Sequence, residues 1–206
     1  MNLHIPQNEE SRAEAEILME VQTQLISLRY GLSVIGCVQD SLSGNYLLTK
    51  DMELSRHEAV DLLAAIGIED FSRLPRKEKI SGKEVFSALI PEDFKFKGKT
   101  KSNEDVIIKN GNLVEGWMDR ANLGEGSGLL LRNLHQKYGK DFAIDLLGKF
   151  FRLGIEVLLK RGFTCAISDT DLPEKAIIGI QEALDKAKQD VENLIQLYHD
   201  NKLETF

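Results

Sequence analysis

The side chains of this chain able to hold a metal or move a proton are few and scattered. His4, His57, His135 and His199 have no metal-ligand spacing with one another, nor with Cys37 and Cys165, and no CxxC pair occurs. The two cysteines read as buried free thiols of a reducing compartment. Gly124, Gly126 and Gly128 form a Gly-Glu-Gly-Ser-Gly loop ahead of a helical stretch, the setting in which backbone N–H groups cradle phosphate. No Lys-Ser/Thr pair closes that loop and no buried parallel strand leads into it, so loop punctuation is the simpler reading. Asp169 and Asp171 in "SDTDLP" are a possible carboxylate pair, but a metal would want a third oxygen ligand. Capping the helix that follows is their expected work.

Charge adds one more candidate. The 206 residues carry a net charge of −7, which argues against a surface that binds DNA throughout. The first 70 residues are acidic, whereas Arg73, Arg76, Lys77, Lys79, Lys83, Lys95, Lys97, Lys99 and Lys101 make the middle basic. That stretch is either solvated loop surface or a nucleic-acid or nucleotide contact. Apolar residues make up 42% of the chain and charged ones 29%, ordinary values for a globular protein. No apolar run approaches the length of about 18 residues that spans a membrane, and the N-terminus has no signal-peptide pattern.

The elements that must position these groups are mixed. "NLHIP" alternates like a short strand, and Ser11 reads as the cap of a helix over 12–28. Val34–Val38 reads as a strand and "QDSLSGNYLL" as a helix interrupted by Gly44. Ser55 with Glu58, and Ser81 with Glu84, form capping boxes ahead of two short helices, ended by Gly67 and Pro91. Asn110-Gly111 supplies the two positive-φ residues of a tight hairpin turn joining Val106–Ile108 to Leu113–Glu115. "LLLRNLHQKYG" is a helix, and "DFAIDLLGKFFRLGIEVLLKRG", capped by Gly162, is one apolar on most of its circumference, hence central. "FTCAIS" reads as a short strand. The class is α+β: mainly helical, with short strands and one β-hairpin, ending in a long projecting helix. In that last helix Ile177, Ile180, Leu184, Ala187, Val191, Leu194 and Tyr198 alternate by three and four, a heptad seam for a partner helix.

The order of several motifs carries a resemblance. Met1 to Gln7, Met-Asn-Leu-His-Ile-Pro-Gln, is similar to a strand in the largest subunit of multisubunit DNA-directed RNA polymerases. In that family it follows the Asn-Ala-Asp-Phe-Asp-Gly-Asp loop that holds the catalytic magnesium. Gln39-Asp40 with Gly44, "LTKD", "SGKEVFSALIP", "IIKNGNLVEG", "GSGLL", "RGF" and "ISDTDLP" follow in family order over nearly the whole chain. The archaeal form, the A-prime subunit, is the most similar.

The resemblance implies a cytoplasmic segment of a nucleotidyltransferase, with residues 1–172 as the pore region and 173–206 as the first arm of the funnel's helical hairpin. The seam would then meet a returning arm further along the parent chain; seven unpartnered residues would forgo roughly 10 kcal/mol, at about 1.5 each. It implies no catalytic residue here and no cofactor in this segment, since the aspartates for magnesium lie upstream in the parent. Gln39 and Asp40 are its candidates for lining the nucleotide pore, although each is also a plausible helix cap or core hydrogen-bond partner. The implied partners are other polymerase subunits, transcript-cleavage factors at the funnel, and DNA, RNA and nucleoside triphosphates through the parent complex, with no membrane. A cysteine cluster that some relatives carry before the hairpin is replaced by "FKGKTKSNEDV", so no zinc is expected there. The alternative is a free-standing adaptor that pairs through the C-terminal heptad helix; a small phosphate-handling enzyme built on the glycine loop is the weakest reading.

Overall fold

Two helices whose backbones touch organise the first part of the molecule, seen in a computed structural model that describes residues 2–200. They are α2 (Gln39–Asp51) and α7 (Lys140–Arg161). A Cβ on Gly44 would stand 1.9 Å from the Gly154 carbonyl oxygen, and one on Gly154 would stand 2.0 Å from that of Ser41. Gly44 therefore does not interrupt α2. It lets the two helices meet, at a place where any side chain would hold them apart. Beside the crossing, buried Asn45 donates Nδ2 to the carbonyls of Ser41 and Phe150, each at 2.7 Å. The Phe150 ring stacks on Phe86, their centroids 4.7 Å apart.

Two strand–helix units flank this pair. β1 (Glu53–Ser55) runs into α3 (Arg56–Ala65), and β2 (Lys79–Ser81) runs into α4 (Gly82–Ser87). β1 and β2 pair antiparallel, Leu54 opposite Ile80. Both capping boxes form: Ser55 N donates to Glu58 at 2.8 Å, and Ser81 N to Glu84 at 2.9 Å. Each box closes the orphan N–H groups of a helix that begins straight from a strand.

A three-stranded antiparallel sheet follows, ordered β3 (Phe96–Lys99), β4 (Asp105–Lys109), β5 (Asn112–Glu115). Asn110 and Gly111, at φ +50° and +72°, make the β4–β5 turn. Ser87 Oγ, which accepts from Leu113 N at 2.9 Å, ties this hairpin to α4. Short α5 (Arg120–Leu123) and α6 (Leu129–Tyr138) complete the core with α7.

Contacts divide the chain after Gly162. The second unit holds a 3-10 turn at Ile167–Thr170 and α8 (Glu174–His199), and none of its described residues is buried. Mixed α and β structure with a long C-terminal helix is as the pattern predicts.

Several local expectations fail. Residues 2–6 are not a strand, and Met1 and residues 201–206, which the readings of the first and last segments include, lie outside the described residues. The first helix, α1 (Glu9–Ile17), is capped by Asn8, whose Oδ1 accepts from Ser11 N at 2.8 Å, and it stops well short of residue 28. An asparagine three residues ahead does the work assigned to Ser11. Residues 34–38 form only one bridge, Cys37 to Gly124, and residues 163–168 form no strand. Cys165 is exposed rather than buried. Asp169 accepts from Ala166 N at 2.7 Å and closes the 3-10 turn, while α8 begins after Pro173 with no side-chain cap.

Candidate functional site

Gln39 and Asp40 stand exposed at the start of α2. Ser41, one residue on, is buried and caps the helix: its Oγ accepts from Val38 N at 3.0 Å and donates to the Val38 carbonyl at 2.6 Å. The capping role considered for Gln39 and Asp40 is thus taken by their neighbour. Gln39 has φ +48°, a left-handed backbone that costs a non-glycine residue roughly 1–2 kcal/mol. Such a cost persists only where the surroundings over-determine the backbone.

The glycine loop packs against the segment that leads into Gln39. Cys37 N donates to the Leu123 carbonyl at 2.8 Å, and Gly126 N donates to that of Ser33 at 2.8 Å. A Cβ on Gly36 would come within 2.4 Å of Glu125 N and the Gly124 carbonyl carbon, and one on Gly128 within 2.7 Å of Ser33 Cβ. Residues 33–38 and 124–128 therefore lie backbone to backbone, and together they aim the start of α2. Within the loop Glu125 pairs with Arg120 at 3.4 Å, and Ser127 Oγ donates to the Arg120 carbonyl at 2.8 Å. The Gly126 N–H, which a phosphate cradle would need, is already engaged, so the loop acts as a brace. Cys37 lies in this seam, and burial pushes its thiol up to about 12 against the opposing hydrogen bond with Ser41. It is a packing group, not a nucleophile.

The basic middle separates into two parts. Arg73 clamps carbonyls at Ala88, Ile90 and Gly111 and lies 3.8 Å from Glu92; Lys77 pairs with Glu84 at 2.8 Å and Lys79 with Glu53 at 3.5 Å. Arg73 ties the end of α4 to the hairpin turn, and the two lysines pair within and between the strand–helix units. The lysines of residues 95–101 are another matter: Lys97 and Lys99 lie on β3, a strand that the sequence pattern missed, and Lys95 and Lys101 flank it. Their alternation with buried Phe96 and Thr100 was the available signal. Buried Asn122 was also missed: its Nδ2 donates to Asp119 at 2.9 Å, and Asp119 in turn accepts from Lys101 N at 2.6 Å.

In the second unit all seven predicted seam residues, Ile177, Ile180, Leu184, Ala187, Val191, Leu194 and Tyr198, lie on α8 and are exposed. Among the described residues no three His, Cys, Asp or Glu side chains gather where they could hold a metal ion. Among those residues, too, no helix is long and apolar enough to cross a membrane.

A helical pair locked through glycines and a glycine loop packed ahead of an exposed helix start are the defining features of this α+β module. The family model "RNA polymerase Rpb1, domain 3" matches residues 24–170. The chain belongs to that family. Similar curated proteins are archaeal subunits named "DNA-directed RNA polymerase subunit Rpo1N". Those of Thermococcus celer, Methanocaldococcus jannaschii and Halobacterium salinarum are 36%, 35% and 32% identical to it. The alignments cover 99%, 99% and 100% of this chain but only 27%, 17% and 22% of those proteins.

Proposed function

We propose that this chain is a non-catalytic segment of the largest subunit of DNA-directed RNA polymerase, shaping the pore through which nucleotides reach the active centre. The observation that carries the reading is the braced start of α2. Gln39 is fixed in a left-handed backbone and Asp40 is exposed beside it, at the position where the family's Gln-Asp motif falls. A residue held at that cost without capping its helix has work outside its own segment. Residues 1–172 form the pore region in this reading, and residues 173–206 the first arm of the funnel hairpin, with α8 taking the returning arm along its seam. Cytoplasmic location, the other subunits, cleavage factors at the funnel, and DNA, RNA and nucleoside triphosphates belong to the parent complex. The aspartate loop for magnesium belongs to it too, and by itself this chain makes no RNA.

The test uses the full largest subunit, assembled into polymerase, with Gln39→Ala and Asp40→Ala. Single-nucleotide extension should lose several-fold in kcat/KM for the incoming nucleotide while assembly and template binding hold. Unchanged kinetics in both variants would remove these residues from the pore.

A further inference from the structure

The turn between β4 and β5 carries a reactive sequence that the fold covers. Asn110 is followed by Gly111, the one Asn-Gly pair in the 206 residues. Every other asparagine precedes a residue with a bulky side chain. The reaction open to such a pair is intramolecular. The Gly111 nitrogen gives up its proton, attacks the side-chain carbonyl carbon of Asn110 and expels ammonia, closing a five-membered imide. Water then opens the ring at either carbonyl and leaves aspartate or isoaspartate, the second with one extra CH₂ in the main chain. Glycine makes the attack easy, because it has no Cβ to crowd the nitrogen.

Half of what the reaction needs is in place. Asn110 is exposed, so water and base reach its amide. The attacking nitrogen is engaged, however. Gly111 is buried, and its N–H donates to the Phe94 carbonyl at 2.9 Å. A Cβ on Gly111 would stand 2.5 Å from the Pro91 carbonyl oxygen and 3.0 Å from Glu92 Cα, so residues 91–92 lie close against its backbone. Arg73, which also holds the carbonyls of Ala88 and Ile90, donates to the Gly111 carbonyl at 3.5 Å. Gly111 is thus held at its N–H by Phe94 and at its carbonyl by Arg73. While the first bond stands the nitrogen keeps its proton, and it cannot swing onto the Asn110 side chain without leaving residues 91–94.

We propose that Asn110 is a latent deamidation site, held unreacted by the Phe94 hydrogen bond and the Arg73 clamp. It converts to aspartate and isoaspartate when the β4–β5 hairpin lifts off residues 88–94, a local opening short of global unfolding. The conversion is one-way, since the ammonia is lost to solvent. An isoaspartate lengthens the main chain in a turn built on φ values of +50° and +72°, so a converted hairpin no longer closes as before. The inference uses the chain by itself and does not depend on the polymerase reading.

The test follows the 206-residue chain in mildly alkaline buffer by peptide-mapping mass spectrometry, which reads the amide-to-acid mass gain at Asn110. The folded chain should react about thirty-fold more slowly than the chain in concentrated urea, the factor set by two hydrogen bonds of ordinary net strength. Arg73→Gln should keep the circular dichroism spectrum and raise the folded-state rate about five-fold, since one of those two bonds is gone. Lys97→Gln, on the outer strand of the same sheet, should leave the rate unchanged. Amide hydrogen exchange of the unsubstituted chain gives a reading that no variant's folding can spoil. Protection of the Gly111 N–H should match the slowing at Asn110 within about three-fold, because both need the same N–H released. Equal rates in the folded and urea-unfolded chain overturn the proposal, as does a protected Gly111 beside an Asn110 that reacts at the unfolded rate. An unchanged rate in a folded Arg73→Gln variant, or an equal rise in Lys97→Gln, overturns it as well.

Discussion

Gly154→Ala and Gly148→Ala place the same methyl group on the same helix with opposite expected results. At Gly148 an added Cβ meets nothing within 4 Å, so the change stabilises α7 by its helix propensity alone, about 1 kcal/mol. At Gly154 that gain is outweighed. The new Cβ would stand 2.0 Å from the Ser41 carbonyl oxygen and 2.8 Å from Asn45 Nδ2. Ordinary contact begins at 3.4 Å, so α2 and α7 must part by roughly 1.4 Å, and the atoms in the way are mostly backbone. Overpacking of this kind costs about 1–3 kcal/mol. Displacing Asn45 from the carbonyls it serves adds about 1–3 kcal/mol for buried groups left unmet. The net expectation for Gly154→Ala is a loss of about 1–5 kcal/mol once the propensity gain is subtracted. In urea, with a slope of about 2 kcal/mol per M, the midpoint falls by about 0.5–2.5 M. Equilibrium unfolding followed by circular dichroism reads both variants. If the two shifts have the same sign, or if Gly154→Ala is as stable as the unsubstituted chain, the glycine-locked crossing is wrong.

Asn110→Val should destabilise the chain by about 1–2 kcal/mol, since a branched residue is forced to φ +50° at the hairpin turn; an unchanged urea midpoint would refute the assignment. A thiol reagent at pH 8 should modify exposed Cys165 quickly and Cys37 only on unfolding, because burial keeps the Cys37 thiolate scarce; two fast thiols per chain would contradict the packed seam at residues 33–38. Amide hydrogen exchange beyond Asp190 in α8 should be weak or concentration-dependent in this chain, and strong and concentration-independent in a longer one that includes the returning arm. Strong, equal protection in both, with this chain shown to be monomeric, would end the seam's assignment to that arm.

Elements with a local signal were legible in the sequence. Ser55–Glu58, Ser81–Glu84 and Asn110-Gly111 each carry their own chemistry, and each forms as read. What was not legible depends on distant partners. Gly44 reads as a break because its reason for being glycine, Gly154, lies over a hundred residues away. The strands β1 and β2 are three residues long, too short for alternation to stand out, and exist because each has a partner to pair with. "FTCAIS" has strand-like composition but no partner strand, and it stays irregular. Gln39 and Asp40 were candidates only through the resemblance. Neither the left-handed backbone at Gln39 nor its brace at Gly124–Gly128 can be read from a linear pattern, because both arise from two loops meeting.

The central claim, that the start of α2 faces the nucleotide path, is tested most directly by a photoreactive probe. Gln39→Cys carries it in the full largest subunit, with Cys165→Ser removing the accessible thiol of this segment. Assembled polymerase is stalled on a template with radiolabelled incoming nucleotide and then irradiated. The account predicts label on this subunit when the probe is at Gln39, lost on competition with unlabelled nucleotide, and none when the probe is at exposed Lys109 on the sheet. Equal labelling from both positions, or none from Gln39 in an active complex, would contradict it.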